Sequence, residues 1–224
     1  MNKTKIKFCG FTNTDDVKYA LDLDIDYLGL VFVESSPRCI DISRAEAIYK
    51  TCNNSKKLVG VFMNQPKEFI NNIIKNINLD FLQFHGQEEF EMCNSFNIPY
   101  IKTIHVTNPK NININHKEAF AYLLDTKGKN GSGGTGKKFN WDVITELKKI
   151  VNKTHKIPEE IEKQIFVAGG LSHTNIKELI LKYKPWWVDV SSGIESEKGK
   201  KSETLMKKFV ENVRMADSEK NEKK

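Results

Sequence analysis

Short apolar runs recur along the chain, and polar stretches with apolar residues at helical spacing separate most of them. The runs cover residues 5–8, 27–33, 57–63, 81–85, 100–104, 121–124, 165–171 and 187–190. Continuous apolar runs of this length are typical of parallel strands that are buried on both faces. Because the strands alternate with helices and no linker rich in Pro, Gly and Ser divides them, the pattern predicts an α/β protein with a single (β/α)₈ barrel.

Several details accompany this prediction. We expect the barrel to occupy residues 1–216 and the charged residues 217–224 to form a frayed tail. Helix starts are expected near Thr12, which resembles a capping arrangement with Asp15, and near Ser43. A further helix is expected at residues 88–96.

Three stretches depart from the regular alternation. Thr107 to His116 has no helical period, so the fifth helix is expected to be missing, reduced or irregular. Thr126 to Lys138 is rich in Gly and Lys, which is typical either of disorder or of a mobile lid, and its place after a strand end favours the lid. Lys153 to Glu160 is polar and indicates an insertion.

Composition narrows the class of protein. The length of 224 residues is close to that of one barrel. No apolar run approaches the roughly twenty residues that span a bilayer, and the N-terminus lacks the apolar region of a signal peptide, so we expect a soluble, cytoplasmic protein that does not bind membranes. The four cysteines have no CxxC spacing and the five histidines form no ligand-like pair, so neither a metal site nor a disulfide framework is expected.

The charge of the chain indicates which ligands it could bind rather than which fold it adopts. The net charge is +6, but the lysines are interleaved with acids, so we expect no nucleic-acid partner. A mildly basic surface would favour an anionic metabolite. Because no additional hydrophobic stripe is evident, a monomer is expected.

Small residues end the seventh and eighth predicted strands. They are Gly169 and Gly170 after the seventh, and Ser191, Ser192 and Gly193 after the eighth. Glycine lets the backbone approach a ligand closely, and unpaired amides at helix N-termini favour anions. In barrels of this type the phosphate site is often at these two loops, so we expect a phosphate there. The alternative is that the glycines serve ordinary tight turns.

Reactive side chains at the carboxyl ends of the strands are candidates for chemistry. Cys9 could act as a general base, or be a buried inert thiol; Asp125 could act as a general acid, or cap a turn. Arg38 could bind a substrate carboxylate through its planar fork, or form a surface ion pair. His85 could contact substrate or fill the barrel mouth. Asp189 points either into the barrel or towards the helices, and its charge needs a partner at such a position.

These residues lie in sequence words that together resemble the phosphoribosylanthranilate isomerase family of tryptophan biosynthesis. The words are Lys7-Phe-Cys-Gly-Phe-Thr12, Ser36-Pro-Arg38, Val59-Gly-Val-Phe62, Phe81-Leu-Gln-Phe-His-Gly86, Leu123-Leu-Asp125, Gly133-Gly-Thr-Gly-Lys137 with Phe139-Asn-Trp141, Ala168-Gly-Gly-Leu171 and Val188-Asp-Val-Ser-Ser-Gly193. They span nearly the whole chain in the right order. Phe8, Phe11 and Cys39 depart from the residues usual in the family, which bears on the fine shape of the pocket.

The resemblance implies a (β/α)₈ barrel with an irregular fifth helix and a cofactor-free aldose–ketose isomerase. It implies an Amadori rearrangement that converts N-(5-phosphoribosyl)anthranilate to the 1-deoxyribulose 5-phosphate. By the family's pattern, Cys9 matches the general base that removes the C2 proton, and Asp125 matches the general acid at the ring oxygen. Arg38 matches the residue that faces the anthranilate carboxylate. The rivals are the histidine-pathway isomerase, which uses two aspartates, and an inactive barrel kept as a phosphate-ligand or scaffold protein.

Overall fold

Eight parallel strands close into a barrel in chain order within the computed structural model, which describes residues 3–106, 116, 118–126, 141–146 and 165–222. The strands are Lys5–Cys9 (β1), Tyr27–Val31 (β2), Lys57–Phe62 (β3), Phe81–Phe84 (β4), Tyr100–Val106 (β5), Ala121–Thr126 (β6), Ile165–Val167 (β7) and Trp187–Val190 (β8). Pairing of β1 with β8 closes the sheet. The predicted barrel is therefore confirmed, and each strand overlaps its apolar run.

Helices surround the barrel in the described part of the chain. They are Thr14–Leu21 (α1), Ile42–Cys52 (α2), Lys67–Asn76 (α3), Phe90–Cys93 (α4), a helical segment at residues 142–146 (α5), Ile176–Tyr183 (α6) and Glu203–Glu222 (α7). A 3₁₀ turn, Ser192–Ile194, and a small hairpin of Glu195–Glu197 (β9) and Lys200–Lys201 (β10) precede α7. The 3₁₀ turn and the hairpin follow β8 at the carboxyl end of that strand.

Strand alternation divides the core into two layers. One set of side chains fills the barrel interior, among them Tyr27, Val59, Leu123 and Phe166. The other set points outward and packs against the helices in the larger cluster. Phe8 and Phe11 belong to this outer cluster and are fully buried there, so they do not shape the barrel mouth.

The helix starts differ from those expected. Asn13 caps α1 by accepting from the Asp16 amide at 2.8 Å, and Asp41 caps α2 by accepting from the Arg44 amide at 2.8 Å. The expectation for Thr12 and Ser43 is therefore wrong. Thr12 is used elsewhere, because its hydroxyl donates to the Gly199 carbonyl at 2.6 Å and joins the hairpin to β1.

The helix expected at residues 88–96 is only the single turn of α4. Glu88 is turned inward instead, where its carboxylate accepts from the Asn64 amide at 2.7 Å and from the Lys102 ammonium at 2.7 Å. These tertiary contacts hold Glu88 in the loop after β4 and delay the start of the helix.

The last helix continues beyond the boundary expected at Asp217. Asp217 is buried, and its carboxylate accepts from the Thr4 amide at 2.9 Å and the Thr4 hydroxyl at 2.6 Å. Lys220 donates to the same carboxylate at 2.8 Å. The expected tail is corrected accordingly, because these contacts fasten α7 beside the start of β1 through Glu222.

The predictions for residues 107–115, for the loop at residues 127–138 and for the insertion at residues 153–160 lie outside the described residues. Among the described residues, no helix has the length and apolarity needed to cross a membrane.

Candidate active site

A pocket of about 330 Å³ lies at the carboxyl ends of the strands. This volume is within the range of small-molecule sites. Nine of the ten candidate residues line it: Cys9, Arg38, His85, Asp125, Gly169, Gly170, Asp189, Ser191 and Ser192. Gly193 does not line the pocket, and Cys39 is also absent from its lining. Strand closure therefore brings together residues that are far apart in the sequence.

Cys9 ends β1 and faces the pocket with only 7% of its surface exposed. The neighbouring strand makes room for the thiol at Gly29, where a Cβ would lie 2.7 Å from the Cys9 sulfur. Burial is the largest effect and the pKa of the Cys9 thiol is raised overall, while the positive charges of Lys7 and Lys201 act in the opposite direction. Neighbouring cations therefore favour the thiolate form, which is the form that can accept a proton.

Asp189 points into the barrel, which decides between its two expected orientations. Its Oδ1 accepts from the Nζ of Lys7 at 2.9 Å, and Lys7 itself is completely buried. The two residues are direct neighbours in the pairing of β1 with β8. Sequence reasoning missed Lys7, although its position two residues before Cys9 on the same strand was the available signal.

Asp125 and His85 form a second pair across the pocket. The His85 Nε2 atom lies 3.4 Å from Asp125 Oδ2, and both side chains are largely buried. On the other side of the ring, Nδ1 lies 3.0 Å from the Thr103 hydroxyl and 3.3 Å from the Gln83 amide nitrogen. In this orientation of the Gln83 amide its nitrogen donates to Nδ1, which corresponds to a His85 proton on Nε2, facing Asp125. His85 thus contacts a candidate catalytic carboxyl and does more than fill the barrel mouth.

Arg38 is held by a protein carboxylate. Its Nε and Nη2 atoms donate to the two oxygens of Glu195 at 2.6 and 2.7 Å, a bidentate pair that is almost fully buried. Gly10, with a φ of +81°, makes room for it, since a Cβ there would meet Arg38 Cδ at 2.4 Å. Because the pair is buried, the expected surface ion pair is wrong. One edge of the fork binds Glu195, and within the described residues Nη1 makes no hydrogen bond, so the contact with a substrate carboxylate stays a prediction.

Lys201 was also missed by sequence reasoning. Its buried Nζ donates to the carbonyls of Cys9 at 2.6 Å and Ser191 at 3.2 Å, and to Glu195 at 2.8 Å. Burial lowers the pKa of Lys201, and Glu195 opposes that effect. This lysine joins the ends of β1 and β8 to the hairpin. No local pattern marks it, because Lys198-Gly-Lys-Lys201 is typical of an exposed turn.

The two loops expected to hold phosphate lie side by side. Gly169 and Gly170 have positive φ values of +81° and +65°, a conformation that favours glycine. Gly193 permits the close approach of the loops, since a Cβ there would lie 1.9 Å from the Leu171 carbonyl oxygen. Its role is thus to let the loop after β8 pack on the loop after β7.

A buried hydroxyl points to a ligand at these loops. The Oγ of Ser191 is buried and has no hydrogen-bond partner among the described residues. Asn175 supports the other loop by accepting from the Ser172 amide at 3.0 Å and donating to the Gly170 carbonyl at 2.8 Å. The arrangement suits an anion that accepts from the Ser191 hydroxyl. In the part of the chain that is described, no group of three or more side chains is arranged to hold a metal ion.

Comparison with known proteins places these features in a family. The family model of N-(5'-phosphoribosyl)anthranilate (PRA) isomerase matches residues 6–212. The chain is 36% identical over 215 residues to N-(5'-phosphoribosyl)anthranilate isomerase of Legionella pneumophila (strain Lens), covering 95% of this chain and 98% of that protein. It is 35% identical over 220 residues to the same enzyme of Stenotrophomonas maltophilia (strain K279a), covering 96% of this chain and 95% of that protein.

Solved structures agree with this match. Phosphoribosyl anthranilate isomerase from Thermotoga maritima superposes with a TM-score of 0.80 at 30% identity, over 95% of this chain and 99% of that one. A phosphoribosyl anthranilate isomerase in complex with reduced 1-(o-carboxyphenylamino)-1-deoxyribulose 5-phosphate gives a TM-score of 0.77 at 29% identity, with the same coverage.

Proposed function

Because the chain belongs to the N-(5'-phosphoribosyl)anthranilate isomerase family, we propose that the pocket described above isomerises this substrate by general acid–base catalysis with Asp125 and Cys9. The reaction is the isomerisation of N-(5'-phosphoribosyl)anthranilate in tryptophan biosynthesis. The observation that carries the catalytic assignment is that a thiol and a carboxyl, from β1 and β6, line one pocket beside two anion-suited loops.

Ring opening is the first step of the proposed reaction. Protonated Asp125 donates its proton to the ring oxygen of the ribose as the bond from that oxygen to C1 breaks. The lone pair of the anthranilate nitrogen forms a double bond to C1 and compensates for the lost electrons. Asp125 lies 3.4 Å from His85 Nε2, so His85 can hold the carboxyl in place and stabilise the carboxylate that this step leaves.

Proton removal from C2 follows. The Cys9 thiolate takes this proton, and the electron pair of the C–H bond becomes the C1–C2 double bond while the iminium nitrogen becomes neutral. The resulting enol is converted to the ketone when C1 gains a proton and the C2 hydroxyl loses one. Every atom of the substrate is retained, and C1 is reduced as C2 is oxidised, so no external electron carrier takes part.

The two anionic groups of the substrate have separate proposed contacts. The phosphate binds at Gly169, Gly170, Ser191 and Ser192, where it would satisfy the buried Ser191 hydroxyl. Gly193 acts by keeping the two loops together.

The anthranilate carboxylate is assigned to the part of the pocket formed by the loop after β2 and the hairpin. It is bound by Nη1 of Arg38, since Glu195 already holds the Nε edge. Lys198 lines the same part of the pocket from the hairpin turn, whose Gly199 packs near the Pro37 carbonyl, and it adds a second positive charge.

The decisive experiment combines an assay with one conservative substitution. Freshly prepared phosphoribosylanthranilate is mixed with purified protein, and its fluorescence decay is followed. Cys9→Ser places a much weaker base in nearly the same volume, so we expect a folded, substrate-binding variant whose kcat is lower by ~10²–10⁴. Cys39→Ser is the matched control, because Cys39 does not line the pocket. Near-full activity of Cys9→Ser would contradict the assignment and direct attention to Asp189.

Assembly and location belong to the same proposal. We propose a monomer, since the large exposed hydrophobic side chains among the described residues, Phe69 and Met215, are on separate helices. By contrast, a Thermotoga maritima relative is described as dimeric. Light scattering during size-exclusion chromatography tests this. We propose the cytoplasm as the site of action because a catalytic thiol needs a reducing compartment, and cell fractionation tests it.

A further inference from the structure

Lys7 is a buried charge that the proposed chemistry does not use. Lysine is almost never fully buried unless it is paired, and the Lys7 side chain has no exposed surface. Its ammonium donates to Asp189 Oδ1 at 2.9 Å, and its positive charge lowers the pKa of the neighbouring Cys9 thiol. Lys7 does not line the pocket, whereas Cys9 and Asp189 both do. It therefore lies beneath the reacting groups, beyond direct contact with substrate.

Strand geometry dictates this arrangement. Lys7 and Cys9 are alternate residues of β1, so both side chains point into the barrel. Asp189 is the partner of Lys7 in the parallel pairing of β1 with β8. One ammonium is thereby held between a carboxylate and a thiol by two adjacent strands of a rigid sheet.

The charge balance of this group changes when the thiol ionises. With a neutral thiol, Lys7 and Asp189 compensate each other, and a thiolate adds a second negative charge inside the barrel. Burial raises the pKa of Cys9, the Lys7 charge lowers it, and the Asp189 charge raises it. Other charged groups near Cys9 are Lys201, which binds its carbonyl, and Arg38, and both donate to Glu195. Among these described cations, Lys7 is the one paired with a carboxylate, Asp189, that also lines the pocket.

We propose that Lys7 is the positioning residue that stabilises the thiolate form of Cys9 during proton transfer, and that Asp189 limits this effect by sharing the Lys7 ammonium. The inference rests on the proposed role of Cys9 as general base. In this proposal Asp189 does not act as a second catalytic base. Its charge weakens the interaction between Lys7 and the sulfur, so removing that charge strengthens the interaction.

The two residues therefore give opposite expected results in one experiment. Thiolate formation is followed by ultraviolet absorbance as a function of pH, as the difference between each protein and the same protein carrying Cys9→Ser. In Lys7→Met, Cys9 should ionise at higher pH than in the unaltered protein, and kcat/KM near neutral pH should fall by ~10²-fold. In Asp189→Asn, Cys9 should ionise at lower pH.

Folding is controlled with a charge-balanced variant. Lys7→Met leaves Asp189 buried without its cation and could unfold the barrel, so Lys7→Met/Asp189→Asn is measured as well. Cys9 should ionise at higher pH in this double variant than in Asp189→Asn alone. Lys7→Arg, which keeps the charge, should recover part of the activity lost in Lys7→Met, as expected for an electrostatic role.

The outcomes separate this inference from the assignment of Cys9. An unchanged ionisation profile in the folded double variant relative to Asp189→Asn would overturn the role of Lys7, and equal profiles in Asp189→Asn and the unaltered protein would overturn the limiting role of Asp189. Activity of Cys9→Ser close to normal would overturn the proposed base instead, whatever the ionisation profiles show.

Discussion

Glu195→Gln is the substitution that most directly tests how the pocket is held together. Glu195 carries the negative charge between Arg38 and Lys201, and its side chain is 4% exposed. It accepts two hydrogen bonds from Arg38 and one from Lys201, all at 2.6–2.8 Å. Through these contacts it fastens the loop after β2, the hairpin, and the ends of β1 and β8. The glutamine has almost the same shape but lacks the charge.

The magnitude follows from the geometry. Removing one partner from a buried ion pair costs about 3–5 kcal/mol, because the remaining charge stays buried without compensation. Glutamine keeps a carbonyl oxygen that can still accept from one of the two cations, so we expect the lower end, about 3 kcal/mol. That is a large share of the ~5–15 kcal/mol by which domains are usually stable.

The effect should depend on pH. Burial raises the pKa of Glu195, but the hydrogen bonds from Arg38 and the charge of Lys201 outweigh it, so the net effect lowers the pKa. A lowered pKa in the folded state means that the stabilisation is fully present above the unfolded pKa and is lost as pH falls through the folded pKa. The difference between the two proteins should therefore shrink in acid, where the protonated carboxyl resembles the amide.

Urea unfolding followed by tryptophan fluorescence, at neutral and acidic pH, measures these differences. Glu197→Gln is the matched control, since Glu197 is on the same hairpin, is 71% exposed and, among the described residues, has an ion pair only with Lys200 at 3.6 Å. Its effect should stay below about 0.5 kcal/mol. KM should rise in Glu195→Gln, because Arg38 loses the partner that orients it. A neutral-pH destabilisation no larger than that of Glu197→Gln would refute the reasoning.

Further predictions concern the reacting groups and the two anion contacts. Asp125→Asn should fold normally and lose ~10²–10⁴ in kcat with little change in KM, which steady-state kinetics would show; a change mainly in KM would argue for a binding role. Gly193→Ala should destabilise by about 1–3 kcal/mol in urea unfolding and raise KM, because a Cβ 1.9 Å from the Leu171 oxygen forces the loops apart; unchanged values would contradict that packing. Lys198→Ala should raise KM severalfold, more at low salt than at high salt, whereas Lys200→Ala on the same hairpin should not; equal effects would remove Lys198 from the site.

The barrel itself was predictable from local pattern. Strand and helix periods are properties of neighbouring residues, so eight apolar runs separated by helical spacing indicated the topology. Strand direction in such a barrel then placed Cys9, Asp125 and the loops after β7 and β8 at one end. The resemblance to a family supplied the reaction, which the family comparison supports independently.

Local pattern failed where a side chain had a more favourable partner far along the chain. Thr12 and Ser43 matched capping sequences, yet Asn13 and Asp41 took those roles, and the Thr12 hydroxyl bonded Gly199 instead. Asp217 ended the amphipathic pattern, but its buried bonds to Thr4 extended the helix. A capping or fraying preference is worth about 1 kcal/mol, which several tertiary hydrogen bonds can outweigh.

The electrostatic partners of the site were decided by the tertiary structure alone. Arg38 and Glu195 are 157 residues apart, and Lys7 meets Asp189 only because β1 pairs with β8 in one particular register. Nothing in the local sequence of Lys201 indicated a fully buried ammonium beneath Cys9. The sequence by itself identified the candidate side chains and the end of the barrel at which they lie. Barrel closure decided which charges surround them, because the energy of a buried charge depends on partners that only the closed sheet brings within hydrogen-bonding distance.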